Sequence, residues 1–172
     1  SVAIPVRTDA PMIGIRPQFE AGQLEEGKTA GFKVIVLDQS GSRADMNGLN
    51  WSLYRIERNY QWYRSGSNWR YEAVEIPRMI ENGRLDARAK IATDIAFPVE
   101  WGRYRLDVVG NGPNSPATSV HFNAGWYVES SSTETPDALE IALDKPFYRV
   151  GETATLKVTA QYPGELLVAI GA

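Results

Sequence analysis

Cysteine is absent from the 172 residues. That excludes disulfides, zinc–thiolate sites and cysteine nucleophiles, and leaves the compartment open. Histidine occurs once, at His121, so a triad would need that single ring to meet an oriented acid and a hydroxyl. No charge of one sign dominates: 18 Lys and Arg stand against 21 Asp and Glu, a formal −3. The densest basic stretch, residues 84–90, is interrupted by Asp86. Nucleic acid, which needs a concentrated basic surface, is not an expected partner. No apolar run approaches the ~20 residues that span a bilayer, and membrane contact by this chain is not expected. The opening Ser1-Val2-Ala3-Ile4-Pro5 shows neither an initiator methionine nor the apolar stretch of a signal peptide. It reads as a segment cut from a longer protein, with any export signal or anchor on the parent. Sustained helical periodicity is missing too. The best helical candidate, residues 75–85, carries Pro77, Asn82 and Gly83 and makes a poor one.

What remains is strand signal in a chain of ordinary soluble composition, 43% hydrophobic and 23% charged. Residues 32–38 are β-branched and apolar and end at the turn-prone Gln39-Ser40-Gly41-Ser42. In residues 51–58, alternation puts Trp51, Leu53 and Arg55 on one side and Ser52, Tyr54 and Ile56 on the other. Residues 60–63 and 69–73 flank a hairpin loop at Ser65-Gly66-Ser67-Asn68. Further strands are expected at residues 90–97, 104–109 and 119–126, the last two separated by the turn Gly110-Asn111-Gly112-Pro113-Asn114. Seven or more short strands between turn signals predict an all-β fold, an antiparallel β-sandwich.

A repeat organises the chain. Gly27-Lys28-Thr29-Ala30-Gly31-Phe32-Lys33-Val34 returns 124 positions later as Gly151-Glu152-Thr153-Ala154-Thr155-Leu156-Lys157-Val158. Upstream, residues 13–19 echo residues 141–147. Two readings of one unit at domain spacing imply a modular array. Residues 129–137 contain no large apolar side chain, as expected of a linker. The domains are therefore expected at 1–128, a complete sandwich, and at 138–172, the first strands of a second. The second piece is too short to bury a core alone. Its expected strands are residues 139–143, 154–161 and 166–170, and Leu156, Val158, Leu167 and Val168 are expected to pack on the first module or on another copy.

Chemistry-bearing residues are sparse. Glu25 and Glu26 are neighbours and would point apart in an extended segment, unlike a spaced glycosidase pair. Asp38, Asp45 and Asn47 offer oxygens but lack the spacing of a calcium loop, and a polar turn accounts for them. No catalytic, cofactor-binding or metal residue is assigned, no cofactor is implied, and the chain is not expected to be an enzyme. The aromatic group Trp51, Tyr54, Tyr60, Trp62, Tyr63, Trp69 and Tyr71 is the most serious candidate. Cross-strand packing is the favoured reading, with a sugar-stacking platform as the alternative. Arg55, Arg58, Arg64 and Arg70 among these rings suit a contact surface with a neighbouring module. Asn50-Trp51-Ser52 fits the glycosylation acceptor pattern, a short match common by chance.

Leu139-Glu140-Ile141-Ala142-Leu143-Asp144-Lys145-Pro146-Phe147-Tyr148-Arg149-Val150-Gly151-Glu152-Thr153-Ala154-Thr155-Leu156-Lys157-Val158, followed by Pro163-Gly164, resembles the opening of the bait-region domain of α2-macroglobulins. The stretch Leu49-Asn50-Trp51-Ser52-Leu53-Tyr54-Arg55-Ile56-Glu57, with Tyr60-Gln61-Trp62-Tyr63 and Trp69-Arg70-Tyr71-Glu72, resembles the preceding macroglobulin domain of bacterial members. The resemblance implies a macroglobulin or fibronectin-III-like sandwich at 1–128 and a partial bait-region domain at 138–172. It further implies a structural scaffold role in a broad-spectrum protease trap of the periplasm or cell envelope, whose parent is in some cases a membrane-anchored lipoprotein. Implied partners are neighbouring macroglobulin-type domains and, for the parent, target proteases. Family members that carry a thioester build it from Cys and Gln, so this chain cannot hold one. The alternative function is a carbohydrate-binding or adhesive module of a cell-envelope protein.

Overall fold

The computed structural model describes residues 10–19, 23–24, 27–66, 68–125, 140–145, 147–159, 164–165 and 167. Among them are ten strands and no helix: β1 (Met12–Pro17), β2 (Gln23–Leu24), β3 (Thr29–Leu37), β4 (Met46–Ser65), β5 (Asn68–Ala87), β6 (Thr93–Pro98), β7 (Gly102–Val109), β8 (Ala117–Ala124), β9 (Glu140–Leu143) and β10 (Leu156–Thr159). The chain divides into two units. One comprises residues 1–59 and 74–125; the other comprises residues 60–73 and 126–172.

In the first unit a three-stranded sheet, ordered β1-β3-β6, faces a five-stranded sheet, ordered β2-β8-β7-β4-β5. Every pairing with a described register is antiparallel except the two-residue contact of β2 with β8, which is parallel. Strict alternation builds the interior. From β3, Ala30, Phe32, Val34 and Val36 point inward; opposite them lie Leu49 and Leu53 of β4, Tyr104, Leu106 and Val108 of β7, and Phe122 of β8. The Phe32 ring centres this interior, with Phe122 at 5.1 Å, Phe19 at 5.4 Å and Phe97 at 6.3 Å. Trp51 joins the sheets elsewhere, its ring 4.8 Å from Phe97. No polar or charged side chain among the described residues is fully buried, so the sandwich is held by apolar burial and ring packing. At the start of β7, the Tyr104 hydroxyl donates to the Glu100 carbonyl at 3.0 Å, closing a corner as tyrosines do in related sandwiches.

The second unit contains an antiparallel pair, β9 with β10, in which Leu143 faces Leu156 and Ile141 faces Val158. The repeat is thus the same element twice: β1 with β3, and β9 with β10. Its register corrects the sequence echo. The Gln18 N–H donates to Gly31 O at 2.9 Å, and the Asp144 N–H donates to Thr155 O at 3.2 Å, so Gln18 is the counterpart of Asp144 and Ile15 of Ile141. Matching Ile13 to Ile141 is two residues out, an error that leaves every side chain on the same face.

Three further expectations change. Residues 51–58 and 60–63 are not separate strands but parts of the continuous β4, and the poor helical candidate at 75–85 belongs to the equally long β5. Pro77 is accommodated on β5, the last strand in its sheet, the kind of position in which proline is found in sheets. Leu156 and Leu167 are not covered within the described chain, being 41% and 92% exposed. Val168, most of residues 166–170, the linker at 129–137 and the pair Glu25-Glu26 lie outside the described residues.

Candidate functional site

His121 lies on the outer face of the five-stranded sheet, exposed, directly across from Arg105. Asp107, two residues from Arg105 along β7, is engaged by Arg105 at 3.0 Å, and the Arg105 guanidinium also sits 4.9 Å over the Tyr54 ring. The carboxylate that a histidine base would need is therefore occupied by a cation, on an open sheet surface.

Asp38, Asp45 and Asn47 do not converge. Asp38 Oδ1 accepts from the Ser40 hydroxyl at 2.6 Å and from the Ser40 and Ser42 N–H groups at 2.8 and 3.0 Å, closing the turn after β3. The Ser40 hydroxyl is the main cause holding the Asp38 carboxyl below its ordinary pKa, with the Ser42 N–H next. Asp45 accepts from the Ala89 N–H at 2.6 Å and Asn47 from Arg88 at 2.8 Å. Asp38 thus closes its own turn, while Asp45 and Asn47 tie the entry of β4 to residues 88 and 89. Among the described residues no group of three acidic or imidazole side chains is placed to hold a metal ion.

The aromatic group divides. Trp51 packs on the core, lying so close over Gly83 that a Cβ there would fall 2.7 Å from its ring. Tyr54 takes the Arg105 cation. Trp62 and Tyr63, by contrast, are 53% and 45% exposed on the outer part of β4. Successive residues of a strand face opposite ways, so these two rings do not form one platform; the expected packing is seen for Trp51, while Trp62 and Tyr63 stay half exposed. β4 makes its last pair with β7 at Ile56 and Arg103, so beyond that point no β7 neighbour covers it. The side chains of Tyr60, Trp69 and Tyr71 lie outside the described residues. Asn50 of the glycosylation pattern sits in a strand, its amide donating to Asn111 Oδ1 at 2.8 Å.

A contact set the sequence reading missed lies in the β9–β10 connection. Asp144 Oδ1 accepts from the Tyr148 hydroxyl at 2.6 Å and the Thr155 N–H at 2.8 Å. The Tyr148 oxygen in turn accepts from the Lys145 N–H at 3.1 Å. Glu152 Oε2 accepts from the Arg149 N–H at 3.3 Å and lies 3.5 Å from Lys145 Nζ, which is 5.7 Å above the Tyr148 ring. The turn itself needs Gly151, at φ +93°, with the Glu152 N–H bonded to Arg149 O at 3.0 Å. The acid at 144 with a tyrosine four residues on and a glycine turn at 151 was the available signal. Among the described residues of the first copy the contacts differ: Gln18 and Lys33 both donate to Asp94 of β6, at 3.0 and 2.9 Å.

Bonding to the charged form, from Tyr148 first and Thr155 second, lowers the Asp144 pKa from the ordinary 3.8. A carboxylate with a depressed folded pKa contributes closure that is full above its unfolded pKa and is lost as pH falls through the folded value. The Thr155 amide is expected to be protected from exchange at neutral pH and to lose protection on acidification below about pH 4. Asp144→Asn should flatten that profile, and a profile unchanged in the variant would remove Asp144 from the account.

The geometry describes a packed double sheet with polar closures at its turns, an antiparallel β-sandwich. Residues 14–126 match the family described as Bacterial macroglobulin domain 6. The alpha-2-macroglobulin of Escherichia coli K12 is 33% identical over 171 residues, covering 88% of this chain and 10% of that protein. The native conformation of Escherichia coli alpha-2-macroglobulin superposes with a TM-score of 0.60 at 31% identity, covering 90% of this chain and 11% of that one. The same protein activated by porcine elastase gives 0.58 at 33%, covering 90% and 13%. The chain belongs to the bacterial alpha-2-macroglobulin family and spans about a tenth of the length of the curated relatives it matches.

Proposed function

We propose that this chain is a non-catalytic scaffold segment of a bacterial protease trap. Residues 1–128 form a macroglobulin-type sandwich, 129–137 a linker, and 138–172 the first strands of the bait-region domain. The observation that carries the reading is the match of the sandwich to a macroglobulin domain whose polar groups are spent on turns and sheet faces. The parent acts in the periplasm or cell envelope, and its target is a protease, as the elastase-activated relative illustrates. Neighbouring macroglobulin-type domains are the direct partners of this segment. Exposed Ile76, Met79 and Ile80 on the edge strand β5 supply apolar surface for such contacts.

The isolated chain, mixed with a broad-specificity protease, should leave hydrolysis of both a peptide and a protein substrate unchanged. Trapping needs a cleavable bait and a surrounding cage that a scaffold segment does not supply. Stoichiometric loss of protease activity would overturn the reading, and so would hydrolysis of a substrate by the chain itself. The sugar-binding alternative is weakened by the packing of Trp51 and by the opposite facing of Trp62 and Tyr63.

A further inference from the structure

Asparagine followed by glycine is chemically vulnerable, because glycine has no Cβ to hinder its own amide nitrogen from reaching the preceding carboxamide. The chain contains three such steps, Asn47-Gly48, Asn82-Gly83 and Asn111-Gly112, and the fold treats them differently. At the first, the attacking nitrogen is held: the Gly48 N–H donates to Asp86 Oδ1 at 2.8 Å. The second lies inside β5, with Gly83 pinned under the Trp51 ring. An extended strand also turns the carboxamide away from the following nitrogen.

The third lies in the turn between β7 and β8, and both of its residues are exposed. That turn is closed by the Gly110 N–H to Pro116 O at 2.9 Å and the Ser115 N–H to Gly112 O at 3.4 Å. Among the described residues the Gly112 N–H donates to no backbone carbonyl. The Asn111 oxygen accepts the Asn50 amide at 2.8 Å, as the Asn47 oxygen accepts Arg88, so the two steps differ at the glycine nitrogen and in exposure rather than at the carboxamide.

We propose that Asn111 is a site of spontaneous modification, with water as the only co-reactant. The Gly112 nitrogen loses its proton to solvent and bonds to Asn111 Cγ. The Cγ–Nδ2 bond breaks as Nδ2 takes a proton back from solvent and leaves as ammonia, producing a five-membered succinimide. Water then opens either ring carbonyl, giving aspartate, or isoaspartate in which the main chain runs through the side-chain carbon. Nothing is oxidised or reduced, and one amide becomes one carboxylate. The isoaspartyl product lengthens the turn by one main-chain carbon. It also replaces an amide that lies against Gly48, where a Cβ would fall 2.6 Å from Asn111 Nδ2.

Trypsin places the three steps in separate peptides, residues 44–55, 79–84 and 106–149. The intact chain is held folded at mildly alkaline pH, digested at intervals and analysed by fragmentation mass spectrometry. A gain of one mass unit, split between aspartate and isoaspartate, should build up at Asn111 several-fold faster than at Asn47 or Asn82. In a parallel sample unfolded in urea the three rates should converge, since the sequence step is the same in each. The proposal is overturned if Asn47 or Asn82 reacts as fast as Asn111 in the folded chain, or if Asn111 keeps its lead in urea.

Discussion

Replacing Phe32 with alanine should cost about 3–5 kcal/mol, the range for emptying a large buried ring position. That is a sizeable part of the roughly 5–15 kcal/mol that keeps a domain folded. The side chain is fully buried and touches rings from both sheets: Phe97 in its own sheet and Phe122 across the interior, with Phe19 at its edge. Its loss leaves a cavity between two sheets whose backbones are fixed by their own ladders and cannot collapse into it. Urea unfolding should show a lower midpoint with an unchanged slope, and Phe32→Leu should recover much of the difference. A loss below about 1 kcal/mol, the typical effect of a single substitution, would mean that the interior is not organised around this ring.

Gly125→Ala should be nearly as damaging, for two reasons that can be separated. Gly125 has φ +101°, a backbone conformation that a side chain makes costly, and its N–H donates to Leu24 O at 2.7 Å, which holds that conformation in place. A Cβ built there would lie 2.4 Å from Trp101 Cδ1 and 3.0 Å from its Cβ. Backbone strain of about 1–3 kcal/mol together with overpacking of a similar size gives an expected loss of about 2–5 kcal/mol. Adding Trp101→Ala removes the overlap and not the strain, so the double variant should lose less than the two single losses combined. Strict additivity would show that the tryptophan does not constrain this glycine.

The sandwich was legible where one face of a strand is buried and the other wet. β3 and β7 announce themselves by alternation, because Phe32, Val34 and Val36, or Tyr104, Leu106 and Val108, all meet the same interior. β1 was seen only as an echo of a later segment, since Gly14, Arg16 and Pro17 dilute its pattern. The length of β4 and β5 was hidden for a physical reason. Past Ile56 no β7 neighbour covers β4, so residues there follow no core-imposed period, and Pro77, Asn82 and Gly83 are tolerated at an edge. The expectation that Leu156 and Leu167 would be covered rested on apolarity alone, and they are exposed. The polar-turn reading of Asp38, Asp45 and Asn47 holds for Asp38, which closes the turn after β3; Asp45 and Asn47, at the entry of β4, instead bond the distant residues Ala89 and Arg88. The Asp144–Tyr148 closure is not legible from apolar alternation, because its partners are polar residues spread along a connection that meet only once the turn at Gly151 folds them back.

Among the described residues the two copies of the repeated strand pair are tied down by different contacts, and this bears on whether either can be moved. In the first copy, Gln18 and Lys33 rely on Asp94, a residue far along the chain on another strand. Transplanted alone, that turn would leave its anchor behind. In the second, Asp144, Lys145, Tyr148, Glu152 and Thr155 satisfy one another within a single short stretch. Residues 140–159 therefore amount to a portable cassette: grafted between two strands of another sandwich, they would bring their own clasp.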